Sequence, residues 1–233
     1  MKKNSIIFIA GHKGLVGSAV LRKLKTLGYK KIVTASKNQL NLLDQKKTFD
    51  FLKKKKPEFM FICAAKVGGI LANDKYRADF IYENLQIQNN LIHGAFINNV
   101  KKLIFLGSSC VYPNSFKRHI LEKDLLTSGL EKTNEPYAIA KIAGIKLCEN
   151  YMKQYKKNFI CLMPTNTFGP GDNYDLNKSH FIPALIKKIH LLKKHNGKIL
   201  KIWGSGKVKR EVIFVDDLAE ACIFFMKKKF KII

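Results

Sequence analysis

The sequence predicts an α/β protein with a Rossmann-like fold, a doubly wound parallel sheet with helices on both faces. The first observation is a continuous apolar segment at 5–10, which suits a strand buried on both faces of such a sheet. The second is a glycine-rich turn at 11–17, directly after that strand, which leads into an amphipathic segment at 16–27. The third is the recurrence of apolar segments, at 31–35, 59–64, 102–106 and 159–163.

Composition indicates a globular protein suited to anionic ligands. The 43 Lys and Arg against 17 Asp and Glu give a formal charge of +26, which raises nucleic-acid binding as an alternative. The basic residues are nearly all lysines spread along the chain, so we expect no nucleic-acid partner. A strongly salt-dependent affinity for DNA or RNA would indicate the opposite. Apolar stretches are too short to span a membrane, and we expect no membrane partner.

The five cysteines are odd in number, widely spaced and without a C-x-x-C pair. This pattern argues against a disulfide framework and against a zinc site, and we expect no metal. It predicts a reducing, cytoplasmic location. The short N-terminal apolar run ends at the glycine-rich turn and is not typical of a signal peptide.

The glycine-rich turn carries a G-x-x-G-x-x-G pattern between a strand and a helix. Glycines there permit a tight turn and a close approach of the backbone to a pyrophosphate at the positive end of the helix. The pattern predicts a dinucleotide site at Gly11, His12, Lys13, Gly14, Leu15, Val16 and Gly17.

The residues after the second strand favour NADP(H) over NAD. An acidic residue commonly bonds the ribose 2′-OH of NAD at this point, but Ser36, Lys37 and Asn38 stand here. Lys37, together with Lys13, would suit a 2′-phosphate. The alternative is two surface lysines in a lysine-rich protein.

Tyr137 and Lys141 are spaced to lie on one face of a helix, one turn apart, with Pro136 suited to its first position. A lysine ammonium near a tyrosine favours the phenolate, so we expect Lys141 to lower the pKa of Tyr137. Such a pair can move a proton on and off an oxygen. The spacing alone favours a surface pair, and the other motifs of the chain favour a functional one.

Two further segments lie directly after strands and are expected at the carboxyl edge of the sheet, where parallel sheets bind ligands. The first carries hydroxyls and a thiol, and the second is rich in turn residues. The candidate cofactor contacts in them are Leu106, Gly107, Ser108, Ser109, Pro164, Thr165, Asn166 and Thr167.

Together these motifs resemble the extended short-chain dehydrogenase/reductases, and most closely the GDP-L-fucose synthase family. The matching stretches are AGHKGLVGSAV at 10–20, AAKVGGILAN at 64–73, FLGSSCVYP at 105–113, NEPYAIAKIAGIKLCE at 134–149, MPTNTFGPGDN at 163–173, SHFIPALI at 179–186 and FVDDLAEA at 214–221. The resemblance implies that NADPH reduces the C4 ketone of GDP-4-keto-6-deoxy-mannose after epimerisation at C3 and C5, giving GDP-L-fucose.

The resemblance also implies residue roles. Tyr137 would protonate the C4 oxygen, Lys141 would bind the nicotinamide ribose, and Ser108 would hydrogen-bond the same oxygen. Cys110 and His180 would be the acid and base of the epimerisations, and His180 would also contact the cofactor. Taken alone, Cys110 suits a small buried hydrophobe and His180 a helix-cap or loop residue.

For the GDP end of the substrate, the resemblance implies contacts from Trp203 and Arg210. Trp203 alone is equally consistent with a core aromatic. Lys188 stands where the family has an arginine, and it keeps the charge without the bidentate fork.

The resemblance implies a cofactor domain at 1–163, to which 207–227 returns, and the start of a smaller substrate lobe at 164–206. Because the family's chains run on past the helix at 214–221, we expect this lobe to be incomplete after 233. Helices at 84–98 and 137–155 would form a homodimer through a four-helix bundle. The alternatives are another nucleotide-sugar epimerase or dehydratase, and a truncated form that binds cofactor without turnover.

Overall fold

Strands and helices alternate along the chain. The computed structural model describes residues 1–113, 118–176, 178–202 and 204–228. Within them the strands are β1 (Ile7–Ala10), β2 (Ile32–Thr34), β3 (Phe59–Ile62), β4 (Lys102–Leu106), β5 (Asn158–Leu162), β6 (Asn166–Phe168) and β7 (Val212–Phe214). The helices are α1 (Leu15–Thr26), α2 (Gln45–Lys55), α3 (Ile70–Lys75), α4 (Arg77–Ile97), α5 (Glu135–Tyr155), α6 (Phe181–Lys194) and α7 (Val215–Lys227), with 3₁₀ turns at Ser109–Val111 and Glu122–Asp124.

The main sheet has five strands in the order β2-β1-β3-β4-β5, and every pair in it is parallel. The predicted doubly wound fold is therefore confirmed. The direction of winding changes between β1 and β3, which is where such sheets open a crevice for ligands. The loops after these two strands flank that crevice.

Helices cover both faces of the sheet. Alternate residues of β1 point to opposite sides, as in any strand, so that Phe8 packs among residues of α4 and α5 while Ile9 packs among residues of α1 and α7. All five residues of β4 are buried. The apolar character of the strands thus follows from burial on two faces. Among the described residues, no helix combines the length and apolarity needed to cross a membrane.

The segment at 164–171, expected to be a turn-rich loop, contains a strand. Residues 166–168 pair in parallel with 212–214, in a second, two-stranded sheet. The sequence of β6, Asn-Thr-Phe, is too short for an alternating pattern to distinguish it from a loop. After β7, α7 returns to pack on α1, where Arg22 pairs with Asp216 at 2.6 Å.

Helix α4 begins at Arg77, seven residues before the expected start at Asn84, and α3 was not expected. Asn84 resembles a helix cap in sequence, but it lies buried inside α4. Its side-chain amide donates to Phe80 O at 2.7 Å and Lys66 O at 2.9 Å. The helix therefore does not start at Asn84, because the side chain of Asn84 bonds groups inside the fold and does not cap the helix.

Lys102 ties the start of β4 to the end of α7. It is 5% exposed, and its ammonium donates to Phe225 O and Lys228 O, each at 2.6 Å. We expect Lys102→Met to reduce the free energy of unfolding by about 1–3 kcal/mol, because the carbonyls lose a donor in a buried place. Denaturant unfolding measures this. Lys101→Met is the control, since Lys101 forms an exposed pair with Glu58 and should cost less than about 1 kcal/mol. Equal losses in the two variants would contradict the prediction.

Candidate active site

The glycine loop after β1 has a backbone conformation and close contacts that leave no room for larger side chains. Gly11 has φ +85°, and a Cβ placed on it would lie 2.6 Å from Ala64 N at the end of β3. A Cβ on Gly17 would lie 2.1 Å from Gly11 O. The glycines thus let the loop, the helix and the neighbouring strand end approach each other, and they form a cradle at the crevice between β1 and β3.

Helix α1 begins at this cradle. Gly14 is its N-cap residue, no side chain caps the helix, and the Gly14 N–H donates to Gly11 O at 3.0 Å. The first-turn amides of a helix have no partners within the helix, and they favour an anion. The loop and helix start therefore fit the pyrophosphate of a dinucleotide.

Lys13 and Lys37 lie after neighbouring strand ends. Thr34, the last residue of β2, pairs with Ile9 of β1, so both lysines lie at the same edge of the sheet. Both are exposed. Ser36 lies between β2 and Lys37, and Gln39 holds it in place. The side-chain oxygen of Gln39 accepts from the Ser36 backbone N–H at 2.9 Å and from the Ser36 hydroxyl at 3.0 Å. Two cations at one edge suit an added phosphate on the adenosine ribose.

Lys141 lies inside the protein below this edge. It is 3% exposed, and its amine donates to Leu106 O at the end of β4, 2.7 Å away. Burial lowers the pKa of Lys141 to about 8, and thiolates at Cys110 and Cys63 would act in the opposite direction. The amine is thus held at Leu106 O, and its pKa of about 8 lies close to neutral pH.

Tyr137 lies one turn before Lys141 on α5, with the lysine nitrogen 5.7 Å from its ring centroid. The expected lowering of the tyrosine pKa is not what the structure indicates. Burial raises the pKa of Tyr137, and the charge of a thiolate at Cys110 would raise it further. Tyr137 is therefore a phenol at neutral pH, the form that can donate a proton.

Ser108 and Cys110 lie after β4, beside this pair. Ser108 caps the short 3₁₀ turn, and its hydroxyl accepts from the Cys110 N–H at 3.4 Å. The Ser109 N–H donates to Pro164 O at 3.0 Å, which joins the ends of β4 and β5. Burial raises the pKa of the Cys110 thiol, while the Ser108 hydroxyl and Lys141 oppose the rise. The structure thus brings Ser108, Cys110, Tyr137 and Lys141 together.

His180 is the N-cap residue of α6. Part of His180 is exposed to solvent. The protein around its imidazole desolvates the ring and lowers the pKa of His180, whereas the charge of the Asp172 carboxylate acts to raise that pKa. Asp172 acts on His180 through its charge, and the pairing of His180 with Cys110 stays a prediction. Asp172 was missed in the sequence. Its Oδ2 is buried and has no hydrogen-bond partner among the described residues, and burial raises the pKa of its carboxyl.

Polar side chains on β6 are partly used by the fold. Asn166 donates from Nδ2 to Glu211 O at 2.9 Å, and Thr167 donates to Thr165 O at 3.2 Å. These contacts stabilise the second sheet and the turn before it. The segment after β5 therefore has a structural role in addition to its predicted role in cofactor binding. The carbonyl of Pro164 is the group that contacts the Ser109 turn.

The predicted substrate residues lie between β6 and β7 in the chain. Lys188 is on α6 and donates to Lys201 O at 3.4 Å. Arg210 is exposed, and its charge contributes to lowering the pKa of Glu131, a residue that sequence reasoning missed. Trp203 lies outside the described residues.

Comparison with known proteins identifies the family. The model of the NAD dependent epimerase/dehydratase family matches residues 7–232. The chain belongs to this family. GDP-L-fucose synthase of Sinorhizobium fredii is 52% identical over 95% of this chain and 70% of its own length, and that of Escherichia coli K12 is 49% identical over 95% and 69%. The resemblance to GDP-L-fucose synthases is thereby confirmed.

A solved structure supports the fold of this family member. It is a GDP-D-glycero-L-gluco-heptose synthase from Campylobacter jejuni in the presence of NADPH, 40% identical, with a TM-score of 0.91. The alignment covers 97% of this chain and 75% of that protein. Relatives with different GDP-sugar names therefore share one architecture, and substrate choice depends on details of the site.

Proposed function

We propose that this chain is an NADP(H)-dependent enzyme that epimerises GDP-4-keto-6-deoxy-D-mannose at C3 and C5 and reduces it at C4, giving GDP-L-fucose. Among its relatives, GDP-sugar epimerase/reductases are the common class. The observation that carries the proposal is the grouping of Ser108, Cys110 and Tyr137 around the buried Lys141, at the edge where the glycine loop lies.

The glycine cradle and the start of α1 would hold the pyrophosphate, and Lys13 and Lys37 would pair with the 2′-phosphate of NADP(H). When bound, the reduced nicotinamide supplies hydride. The hydrogen bond to Leu106 O holds the Lys141 amine at the end of β4, where it would contact the nicotinamide ribose. Residues 106–109 and 164–167, with His180, would line the remainder of the cofactor site.

For the reduction, Tyr137 would donate its phenolic proton to the C4 oxygen as hydride arrives at the carbon. Its raised pKa suits this, since the group carries its proton at neutral pH. Ser108 would donate a hydrogen bond to the same oxygen. During epimerisation the two donors would stabilise the oxyanion of the enolate, because both would bond the C4 oxygen on which the charge develops.

For the epimerisations, Cys110 and His180 would exchange protons with C3 and C5. The 4-keto group acidifies both carbons, so a thiolate or an imidazole is a sufficient base. Asp172 would favour the protonated form of His180. Cys110 lies after β4 and His180 at the start of α6, and the proposal requires that the two groups act on opposite faces of the sugar.

For the nucleotide, Lys188, Trp203 and Arg210 would bind the GDP end. We infer a cofactor domain at 1–163, joined by 207–227, because α7 packs on α1 through apolar contacts and ion pairs. Residues 164–206 would begin the substrate lobe.

A homodimer through α4 and α5 is part of the proposal. These helices pack against each other, and they expose Tyr82 (63%), Ile97 (45%), Ile139 (42%) and Tyr155 (47%). Apolar side chains on one pair of helices favour burial against a second pair. Light scattering should give twice the chain mass, and a monomer at micromolar concentration would refute the dimer.

The experiment that tests the function is a turnover assay with NADPH and one GDP-sugar. Purified chain, NADPH and GDP-4-keto-6-deoxy-D-mannose should oxidise NADPH and yield GDP-L-fucose, identified by chromatography and NMR. A reduced product of another configuration would indicate a different nucleotide-sugar enzyme, the second candidate supported by the heptose synthase neighbour. NADPH binding without turnover would indicate a cofactor-binding form.

Cys110→Ser should separate epimerisation from reduction. We expect deuterium from solvent to enter C3 or C5 at least about 10²-fold more slowly, since a hydroxyl is a far weaker base at neutral pH. NADPH oxidation should persist, giving a C4-reduced sugar that is not epimerised at one or both carbons. Mass spectrometry and NMR of the product measure both effects.

Cys161→Ser is the matched control, because Cys161 is also partly buried but is assigned no proton transfer. It should retain exchange and product. Wild-type exchange in Cys110→Ser would contradict the assignment of Cys110.

A further inference from the structure

The segment that leads to His180 lies against the loop after β3. The Gly69 N–H donates to Lys178 O at 3.0 Å, and a Cβ placed on Gly69 would lie 2.6 Å from Ser179 O. Gly69 is the N-cap residue of α3 and has an extended backbone with φ −67°, a conformation open to any residue type. Glycine at this position therefore serves the close approach of two backbones.

Asn73 holds this loop from the side of α3. It is 3% exposed, and its side-chain amide donates to Gly68 O at 2.7 Å and to Gly69 O at 3.2 Å. Hydrogen bonds weaken steeply when their geometry changes, so these two restrict the orientation of both peptide groups. One buried side chain thus fixes the part of the loop that contacts the segment before His180.

Helix α4 holds the start of the same loop. The Lys66 N–H donates to the side-chain oxygen of Asn84 at 2.9 Å, and the Asn84 amide donates back to Lys66 O at 2.9 Å. Asn84 is 2% exposed. The loop is therefore fixed both at 66 and at 68–69, so a collision with it displaces the facing segment at 178–180.

The facing segment is a turn followed by the start of α6. The N–H groups of Lys178 and Ser179 both donate to Asp175 O, at 3.1 Å and 2.8 Å. His180 follows directly as the N-cap residue of α6. The position of the His180 backbone therefore depends on this turn, on α6 and on the contact with Gly69.

We propose that Gly69 and Asn73 are positioning residues for the epimerisation, which place His180 by fixing the backbone that precedes it. This inference rests on the proposed role of His180. An acid or base must lie within hydrogen-bond reach of the proton that it transfers, and a displacement of about 1 Å can cost about 10²-fold in rate. The contact also joins the two inferred units, since Gly69 lies in the cofactor domain and Ser179 in the substrate lobe.

Gly69→Ala tests the proposal, because the added Cβ must displace a backbone atom. We expect deuterium from solvent to enter C3 or C5 of GDP-4-keto-6-deoxy-D-mannose about 10²-fold more slowly, while NADPH oxidation persists. Mass spectrometry of the sugar measures the exchange. Without substrate, the imidazole Cε1–H resonance of His180 should move at neutral pH. NMR of protein labelled with ¹³C-histidine measures this, and His180→Gln assigns the signal.

Gly129→Ala is the control, since it carries the same change of residue type where, among the described residues, an added Cβ has no neighbour within 4 Å. It should keep the wild-type His180 resonance and exchange rate. An unchanged His180 resonance in Gly69→Ala, or a wild-type exchange rate, would overturn the proposal. If the wild type itself exchanges no deuterium, the proposed function fails, and the His180 resonance alone decides whether Gly69 positions this residue.

Asn73→Ala provides a second test if Gly69→Ala does not fold, because it removes two hydrogen bonds without a collision. The His180 resonance should again move, and exchange should slow by about tenfold or more. Asn98→Ala is the matched control, since Asn98 also donates to a carbonyl four residues earlier, Gly94 O at 2.8 Å, at the end of α4. A His180 resonance that moves equally in both variants, or in neither, would overturn the proposal.

Discussion

Tyr137→Phe should reduce the rate of NADPH oxidation with GDP-4-keto-6-deoxy-D-mannose by about 10²–10⁴-fold. That range is typical for the loss of a positioned proton donor. The side chain keeps its ring, and the Lys141 amine keeps its bond to Leu106 O, so NADPH affinity should change little. Stopped-flow absorbance of reduced nicotinamide measures the rate, and fluorescence titration measures the affinity.

Tyr155→Phe provides the matched control for this result. Tyr155 lies on the same helix, is 47% exposed, and contacts Phe96 through its ring, with centroids 4.6 Å apart. Removal of its hydroxyl should leave both rate and affinity at wild-type values. If Tyr137→Phe oxidises NADPH as fast as wild type, another group donates the proton and the assignment of Tyr137 is wrong.

Gly17→Ala should weaken NADPH binding by about tenfold or more and lower the stability of the chain. The added Cβ would lie 2.1 Å from the carbonyl oxygen of Gly11, a backbone atom that can move only if the whole loop moves. Overpacking of this kind costs about 1–3 kcal/mol, and each ~1.4 kcal/mol is a factor of ten in binding. Fluorescence titration and denaturant unfolding measure the two losses.

The control is Gly129→Ala, in the exposed loop before α5, where an added Cβ has no neighbour within 4 Å in the part of the chain that the structure describes. It carries the same change of residue type without the collision, and it should bind NADPH normally. Wild-type affinity and stability in Gly17→Ala would show that the loop adapts, and that the cradle does not require glycine at this position.

The local motifs could be predicted because each depends on neighbours in sequence. The run from β1 through Gly11, Gly14 and Gly17 into α1 is one such case, and the spacing of Tyr137 and Lys141 on one helix is another. The limits of β4 also agree with the prediction, since its apolar run coincides with its buried length. The second sheet could not be predicted, because β6 and β7 are three residues each and are far apart in the chain.

Site residues divide in the same way. Ser108, Cys110, Tyr137 and Lys141 lie in motifs with recognisable spacing, and parallel strands bring them to one edge. Glu131 accepts from the N–H groups of Thr133 and Asn134, close by in the chain, and the effect of Asp172 on His180 depends on how the chain folds at the start of α6. Neither belongs to a pattern with a periodicity, so residue type alone indicated nothing about them.

The sequence by itself determined the fold class, the dinucleotide loop and the chemical groups of the candidate site, because strand burial, helix spacing and turn geometry are local properties. Only the tertiary structure decided the protonation of those groups. The pKa of Tyr137 is raised and not lowered, and that of Lys141 falls to about 8, because the surrounding protein desolvates the half-buried Tyr137 and the buried Lys141. Desolvation depends on everything packed around a group, and spacing along a helix does not report it.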